Sequence, residues 1–271
     1  MIEPPRMPPT GPAPNDPAQP GNAPPYSRRS IWFEIALVFT ITLGMSGLRS
    51  LIALIDDLLA PAPIASQTVS IVVPQAKASY LDLIAQLLSV LSGIAWGGLG
   101  LYLLWRAGVN LRDRLGVALH WQDLGSAVGL AALIGIPGLG FSLVSHAIGI
   151  NLAVAPSVLN DAWWRIPVLV LAAFENGFAE EFLVVGYLVT RLTDLRLPVW
   201  GVVAVSAVLR GSYHLYQGFG GFVGNMVMGV VFALVFLRWR RIWPLLIAHS
   251  LIDAVTFIAY PLLHGHVSWL P

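Results

Sequence analysis

Ala179-Glu180-Glu181-Phe182-Leu183-Val184-Val185-Gly186-Tyr187-Leu188 sets two adjacent carboxylates inside an apolar run that extends from about residue 163 to 192. As a helix, a run of that length crosses a bilayer, which takes about 20 residues. Charge at bilayer depth is costly, so an intramembrane carboxylate pair marks a functional site and needs partners. Two later apolar runs supply them: Arg210-Gly-Ser-Tyr-His214 and His249-Ser-Leu-Ile-Asp253.

The composition fits this reading. Of 271 residues, 56% are apolar and only 11% charged, with a mean hydropathy of +0.74. Soluble domains carry about 25% charged residues. We therefore expect an all-α, polytopic transmembrane helical bundle. No basic patch is rich enough for nucleic acid, and the net charge of +1 points to no partner. The chain has no cysteine, which excludes disulfides, Cys-ligated zinc and thiol catalysis.

Residues 1–29 hold ten prolines and few large apolar side chains. Such a segment buries too little surface to offset its ordering entropy, so it reads as a disordered cytoplasmic tail. It lacks the layout of a signal peptide. Residues 30–271 form the membrane domain, with seven apolar runs at about 31–58, 80–105, 124–148, 163–191, 198–217, 219–237 and 242–263. About seven spans follow, and an eighth, half-buried helix would escape this reading. The end of the first run, Ser50 to Leu59, reads as an interfacial turn. Pro137 is expected to kink the third run. Gly220 and Gly224 form a small-xxx-small pair that permits close helix approach.

Basic residues set the orientation. One set of connections holds eleven: Arg6, Arg28, Arg29, Arg106, Arg112, Arg114, Arg191, Arg196, Arg238, Arg240 and Arg241. The opposite set holds Lys77 and Arg165. The bias predicts a cytoplasmic N-terminus, and we expect a multi-pass protein of a bacterial plasma membrane.

Residues four apart share a helix face. Arg210 and His214 should therefore point the same way from the fifth run, and His249 and Asp253 from the seventh. With Glu180 and Glu181 they make a set that cannot tolerate lipid alone and is best satisfied mutually inside the bundle. Asn225 is an expected polar neighbour. Glu175, about 140° around the helix from Glu180, reads as a structural or rim carboxylate. His120, His146, His264 and His266 read as hydrogen-bonding or interfacial histidines. A Glu–His pair can hold and deprotonate a water for attack on a carbonyl, with the second histidine at the oxyanion. Alternatively His214, His249 and a carboxylate can bind one Zn²⁺. The same buried charges also suit an ion-coupled transporter, or a non-catalytic membrane scaffold or immunity protein.

Glu-Glu followed by Gly-Tyr-Leu, then Tyr-His, then Ala-His-x-x-x-Asp, in that order across about residues 163–262, resembles the CAAX protease and bacteriocin-processing family, also called the abortive-infection (ABI) family. The resemblance implies an intramembrane endopeptidase acting on a membrane-associated peptide or protein. The family's Glu-Glu-x-x-x-Arg motif would begin at Glu180 and Glu181. Its Phe-x-x-x-His motif would end at His214, and its His-x-x-x-Asn/Asp motif would be His249 and Asp253. By analogy Glu180 and His214 activate water, while His249 and Asp253 serve the oxyanion. Val185 stands where the motif has Arg, and Arg210 where it has Phe. These two departures suggest one relocation: a guanidinium moved to the neighbouring helix, with its fork gripping Glu181 and leaving Glu180 free.

Overall fold

The computed structural model describes residues 27–263. The proline-rich tail up to residue 26, with His264 and His266, lies outside the described residues. Helix α1 (Arg28–Ile41) opens on Ser27, whose hydroxyl accepts from the Ser30 amide at 3.1 Å. Thr42 then leaves helical geometry and turns its hydroxyl back onto the Val38 carbonyl. The chain resumes as α2 (Leu43–Leu59), bent 52° from α1. The stretch from Ser50 to Leu59, expected as a turn, is helical throughout, because its apolar residues recur at helical spacing.

Strand β1 (Thr68–Val72) follows, then the 28-residue α3 (Ser79–Arg106) and the short α4 (Leu111–Leu115). Helix α5 (Trp121–Ala147) continues through Pro137. Strand β2 (Ala153–Ser157) pairs in parallel with β1, Thr68 opposite Ala153 and Val72 opposite Ser157. The fold is otherwise all-helical, as expected, and this short pair is its one small sheet among the described residues. It ties the α2–α3 and α5–α6 connections together.

The central element is one continuous rod in three parts. Helix α6 (Arg165–Glu180) passes without interruption into a π-helical segment (Glu181–Val189) and then α7 (Thr190–Asp194). Every residue from Ala179 to Leu192 is buried. A helix apolar all round is surrounded on all sides, and this one is. Glycines on α3 let it come close. A Cβ at Gly97 would lie 2.6 Å from the Phe178 ring, and one at Gly100 would lie 3.2 Å from the Tyr187 Cβ. The core continues through Leu104, Leu115, Phe232, Phe236 and Leu246.

Helices α8 (Val199–Ser212), α9 (Phe219–Trp239) and α10 (Trp243–Leu263) complete the bundle, with α8 packed on α9, and α10 on α5 and α6. Gly220 meets Ser145 of α5 within 2.6 Å of its notional Cβ, whereas Gly224 makes only ordinary contact with Phe141. Among the described residues, α3, α5 and α9 are long and apolar enough to cross a membrane, and the bent α1–α2 pair would make a fourth. By length and composition this makes three or four spans, where about seven were expected. The fifth run contains a helix of only 14 residues, and the fourth carries the site's charges.

Candidate active site

Three segments build the site. The junction of α6 with the π segment delivers Glu180 and Glu181. The last turn of α8 delivers Arg210, and the turn just after it delivers Tyr213 and His214. Helix α10 delivers His249 and Asp253. A π turn closes each hydrogen bond one residue later than an α turn, a rare geometry that concentrates at functional sites. Here it begins at the second carboxylate of the pair.

Arg210 is the hub. It is fully buried (0% exposed), and its Nη1 donates to Glu180 Oε2 at 3.3 Å while its Nη2 donates to Glu181 Oε1 at 2.7 Å. The guanidinium therefore spans both carboxylates, one nitrogen to each. The expected two-pronged grip on Glu181 alone is not what forms, because consecutive residues present their carboxylates side by side across the width of the fork. Gly229 on α9 makes room for the arginine stem: a Cβ there would lie 2.9 Å from Ala207 and 3.3 Å from Arg210 Cδ. The Phe232 ring centroid lies 5.4 Å from Arg210 Cζ, adding a cation–π contact.

Glu180 has a second partner that the motif reading missed. The Tyr213 hydroxyl donates to Glu180 Oε2 at 2.6 Å. Tyr213 stands three residues after Arg210, a spacing that also shares a helix face and could have flagged it. Glu180 retains 8% of its surface and Glu181 none. Glu180 is thus the more accessible carboxylate of the pair. Among the described residues, Glu180 Oε1 makes no hydrogen bond with the protein, so it is the oxygen left to take one from outside.

His249, itself buried, approaches Glu181 Oε1 with Nδ1 at 2.8 Å. A carboxylate oxygen in this position accepts, so Nδ1 carries the proton. The other ring nitrogen, Nε2, lies 3.6 Å from Asp253 Oδ2, one turn further along α10. Asp253 Oδ2 also accepts from Asn176 Nδ2 at 3.2 Å. Asn176 was not singled out either, although it lies four residues before Glu180 on the same helix.

His214 does not extend the Arg210 face as expected. Helix α8 stops at Ser212, and His214 Nδ1 turns back to the Arg210 carbonyl at 3.0 Å. A carbonyl only accepts, so Nδ1–H is the donor and Nε2 keeps a lone pair when the ring is neutral. His214 and Glu180 share no direct hydrogen bond among the described residues. Glu175 packs its carboxylate against Gly93 of α3 and makes no hydrogen bond to the cluster among the described residues.

A cavity of about 530 Å³ opens beside the cluster, bounded by α5, α9, α10 and the turn after α8. His214, Asp253 and Asn225 give it polar wall, while Phe141, Val227 and Met228 give it apolar wall. His214 and His249 each donate from Nδ1 to an oxygen, which leaves Nε2 of each as the nitrogen that could ligate a metal. Among the described residues, no three His, Asp or Glu side chains form a group that could hold one as placed.

No curated protein and no solved structure matches the chain. Residues 162–255 match the family model described as type II CAAX prenyl endopeptidase Rce1-like. Together with the long apolar helices, this match makes the chain an integral membrane protein. Asn176, Glu180, Glu181, Arg210, Tyr213, His214, His249 and Asp253 all fall inside the matched stretch, over which the chain is similar to the type II CAAX prenyl endopeptidases.

Proposed function

We propose that the protein is an intramembrane endopeptidase that hydrolyses a peptide bond of a membrane-associated substrate with water activated at Glu180. The observation that carries this reading is the convergence of Glu180, Glu181, Arg210, Tyr213, His249 and Asp253 in one bonded cluster inside the family-matching stretch, with Asp253 and His214 in the wall of the neighbouring cavity. Convergence of this kind speaks for hydrolysis over transport, in which charges are strung along an aqueous path.

Each group has a role. Tyr213 and Arg210 hold Glu180 Oε2, which turns Oε1 to the water it deprotonates. His214, with its proton fixed on Nδ1, offers Nε2 as a second acceptor for that water. The hydroxide adds to the scissile carbonyl. His249, kept in register by Glu181 and by Asp253, is the donor toward the oxyanion when its ring is charged. Asp253 orients this histidine, and Asn176 orients Asp253. The proton held at Glu180 then passes to the leaving amine. The cavity's mixed walls suit a peptide with an apolar side chain or hydrocarbon attachment. Paired prenylated and unprenylated reporter peptides distinguish these, since a prenyl endopeptidase cleaves the former preferentially.

Tyr213→Phe tests the orientation of Glu180. Loss of one hydrogen bond to a charged group is worth about 1.5–3 kcal/mol. Cleavage of the reporter in detergent should drop about tenfold to a hundredfold, with the thermal midpoint little changed. Unaltered kcat would remove Tyr213 from the mechanism. Prolonged chelation tests the metal-free chemistry: activity should persist, with no stoichiometric zinc by elemental analysis. Activity abolished by chelation and restored by Zn²⁺ would require a metal instead.

We also place the N-terminal, arginine-rich end on the cytoplasmic side of a bacterial plasma membrane. Because the chain has no cysteine, Arg112→Cys gives a single reporter thiol. It should react with an impermeant maleimide only after the cells are opened; labelling of intact cells would invert the topology.

A further inference from the structure

One end of the bundle holds two arginines whose hydrogen-bonding capacity is not used. Three connections meet there. The Ile242 amide donates to the Leu115 carbonyl at 2.8 Å, Trp243 Nε1 donates to the Val117 carbonyl at 2.8 Å, and Arg241 forks onto Asp123 at 2.6 and 2.7 Å. This lacing fixes the α4–α5 loop against the α9–α10 turn, and Arg114 pairs with Asp194 of α7 at 3.0 Å. The lacing brings Arg114 and Arg240 together. Burial and the neighbouring Arg114 guanidinium both push the Arg240 pKa down from its ordinary value.

Each cation keeps a donor unused. Arg114 Nε and Arg240 Nη1 are closed off from solvent and have no hydrogen-bond partner. Asp194 is shared, since Arg191 Nη1 lies 3.9 Å from it, and Asp113 beside Arg114 accepts from Asn110 Nδ2 at 2.6 Å. Asp123 is taken by Arg241. Two like charges held together with donors unused make a seat for an oxyanion.

The level of this seat in the membrane is marked independently. Trp105, Trp121, Trp200 and Trp239 are all exposed, and each lies at or beside the end of α3, α5, α8 or α9 that borders these connections. Exposed tryptophans at helix ends form a belt at the lipid headgroups. Seat and belt lie at the same end.

We propose that Arg114 and Arg240 form a binding site for a phosphate oxyanion, and that its occupant is the headgroup phosphate of an anionic lipid. The assignment is independent of peptide hydrolysis.

Native mass spectrometry of the full chain, released from detergent with equal phosphatidylglycerol and phosphatidylcholine, provides the test. The wild type should retain phosphatidylglycerol preferentially. Arg240→Asn suits the positive φ of 55° at that position, because Asn tolerates the left-handed region. It and Arg114→Gln should each cut the retention about fivefold, near the value of one surface arginine toward anionic lipid. Arg165→Gln, at the far end of the α6 rod, should retain as much as wild type. A parallel arm uses inorganic phosphate at matched concentration in neutral micelles, read by thermal midpoint, and phosphatidylglycerol should raise the midpoint where phosphate does not. Equal retention of both lipids by wild type, unchanged retention in both Arg variants, or equal loss in Arg165→Gln overturns the site. Phosphate acting as well as the lipid overturns the lipid as its occupant. The wild-type arms stand even where a variant fails to fold.

Discussion

Arg210→Met should leave little folded protein. The substitution keeps the volume of the stem but removes the cation that sits between Glu180 and Glu181. Two adjacent carboxylates then face each other in a buried pocket with one tyrosine and one histidine as donors. Breaking a buried ion pair on one side costs about 3–5 kcal/mol, a large fraction of the stability of a typical domain. The measurements are thermal midpoint in detergent and the yield of monodisperse protein. Arg210→Lys separates charge from shape. A lysine restores the cation but cannot reach both carboxylates with a planar fork. It should recover part of the midpoint and little of the activity. A Met variant as stable as wild type would mean that the carboxylates are balanced by something other than this guanidinium.

Glu180→Gln is the second large effect, and it is confined to chemistry. The amide is isosteric, can still accept from Tyr213 and Arg210, and leaves Glu181 paired with Arg210. It cannot take a proton from water. General-base catalysis contributes about 10²–10⁴-fold, so kcat for reporter cleavage should fall by that amount with the protein folded. Glu175→Gln should leave kcat close to wild type, because that carboxylate packs against α3. If Glu180→Gln cleaves at full rate while Glu175→Gln does not, the base has been placed on the wrong carboxylate.

The site was legible in the sequence to the extent that it obeys α-helical spacing. His249 and Asp253 are four apart on an unbroken helix and do face each other. Arg210 was assigned to the Glu pair because a lone arginine at that depth needs an anion. His214 was misplaced for the same reason: four-residue spacing was carried past Ser212, where α8 has already ended. Tyr213 and Asn176 lay at helical spacings from Arg210 and Glu180, but neither is a charged residue that demands a partner. The π segment left no trace at all. Phe182 to Leu188 is apolar on every side, so no polar stripe exists whose period could betray a change of winding. The β pair was hidden by distance along the chain and by Pro156, which argues against a strand.

That change of winding sets the phase between two polar stations on one rod. Upstream is the Glu180–Glu181 pair. Downstream, Tyr187 and Arg191 both reach Glu34 of α1, the tyrosine hydroxyl and the arginine Nε each at 2.9 Å. Removing a single residue between Phe182 and Leu188 would break the wide hydrogen-bond pattern there and change the angle between the two stations. Arg191, only 2% exposed, would be turned from Glu34 into hydrocarbon while the carboxylate pair above stayed where it was. A one-residue deletion there should therefore be far more damaging than any single apolar exchange in the same stretch. The rod tolerates changes in what its side chains are more readily than changes in how many there are.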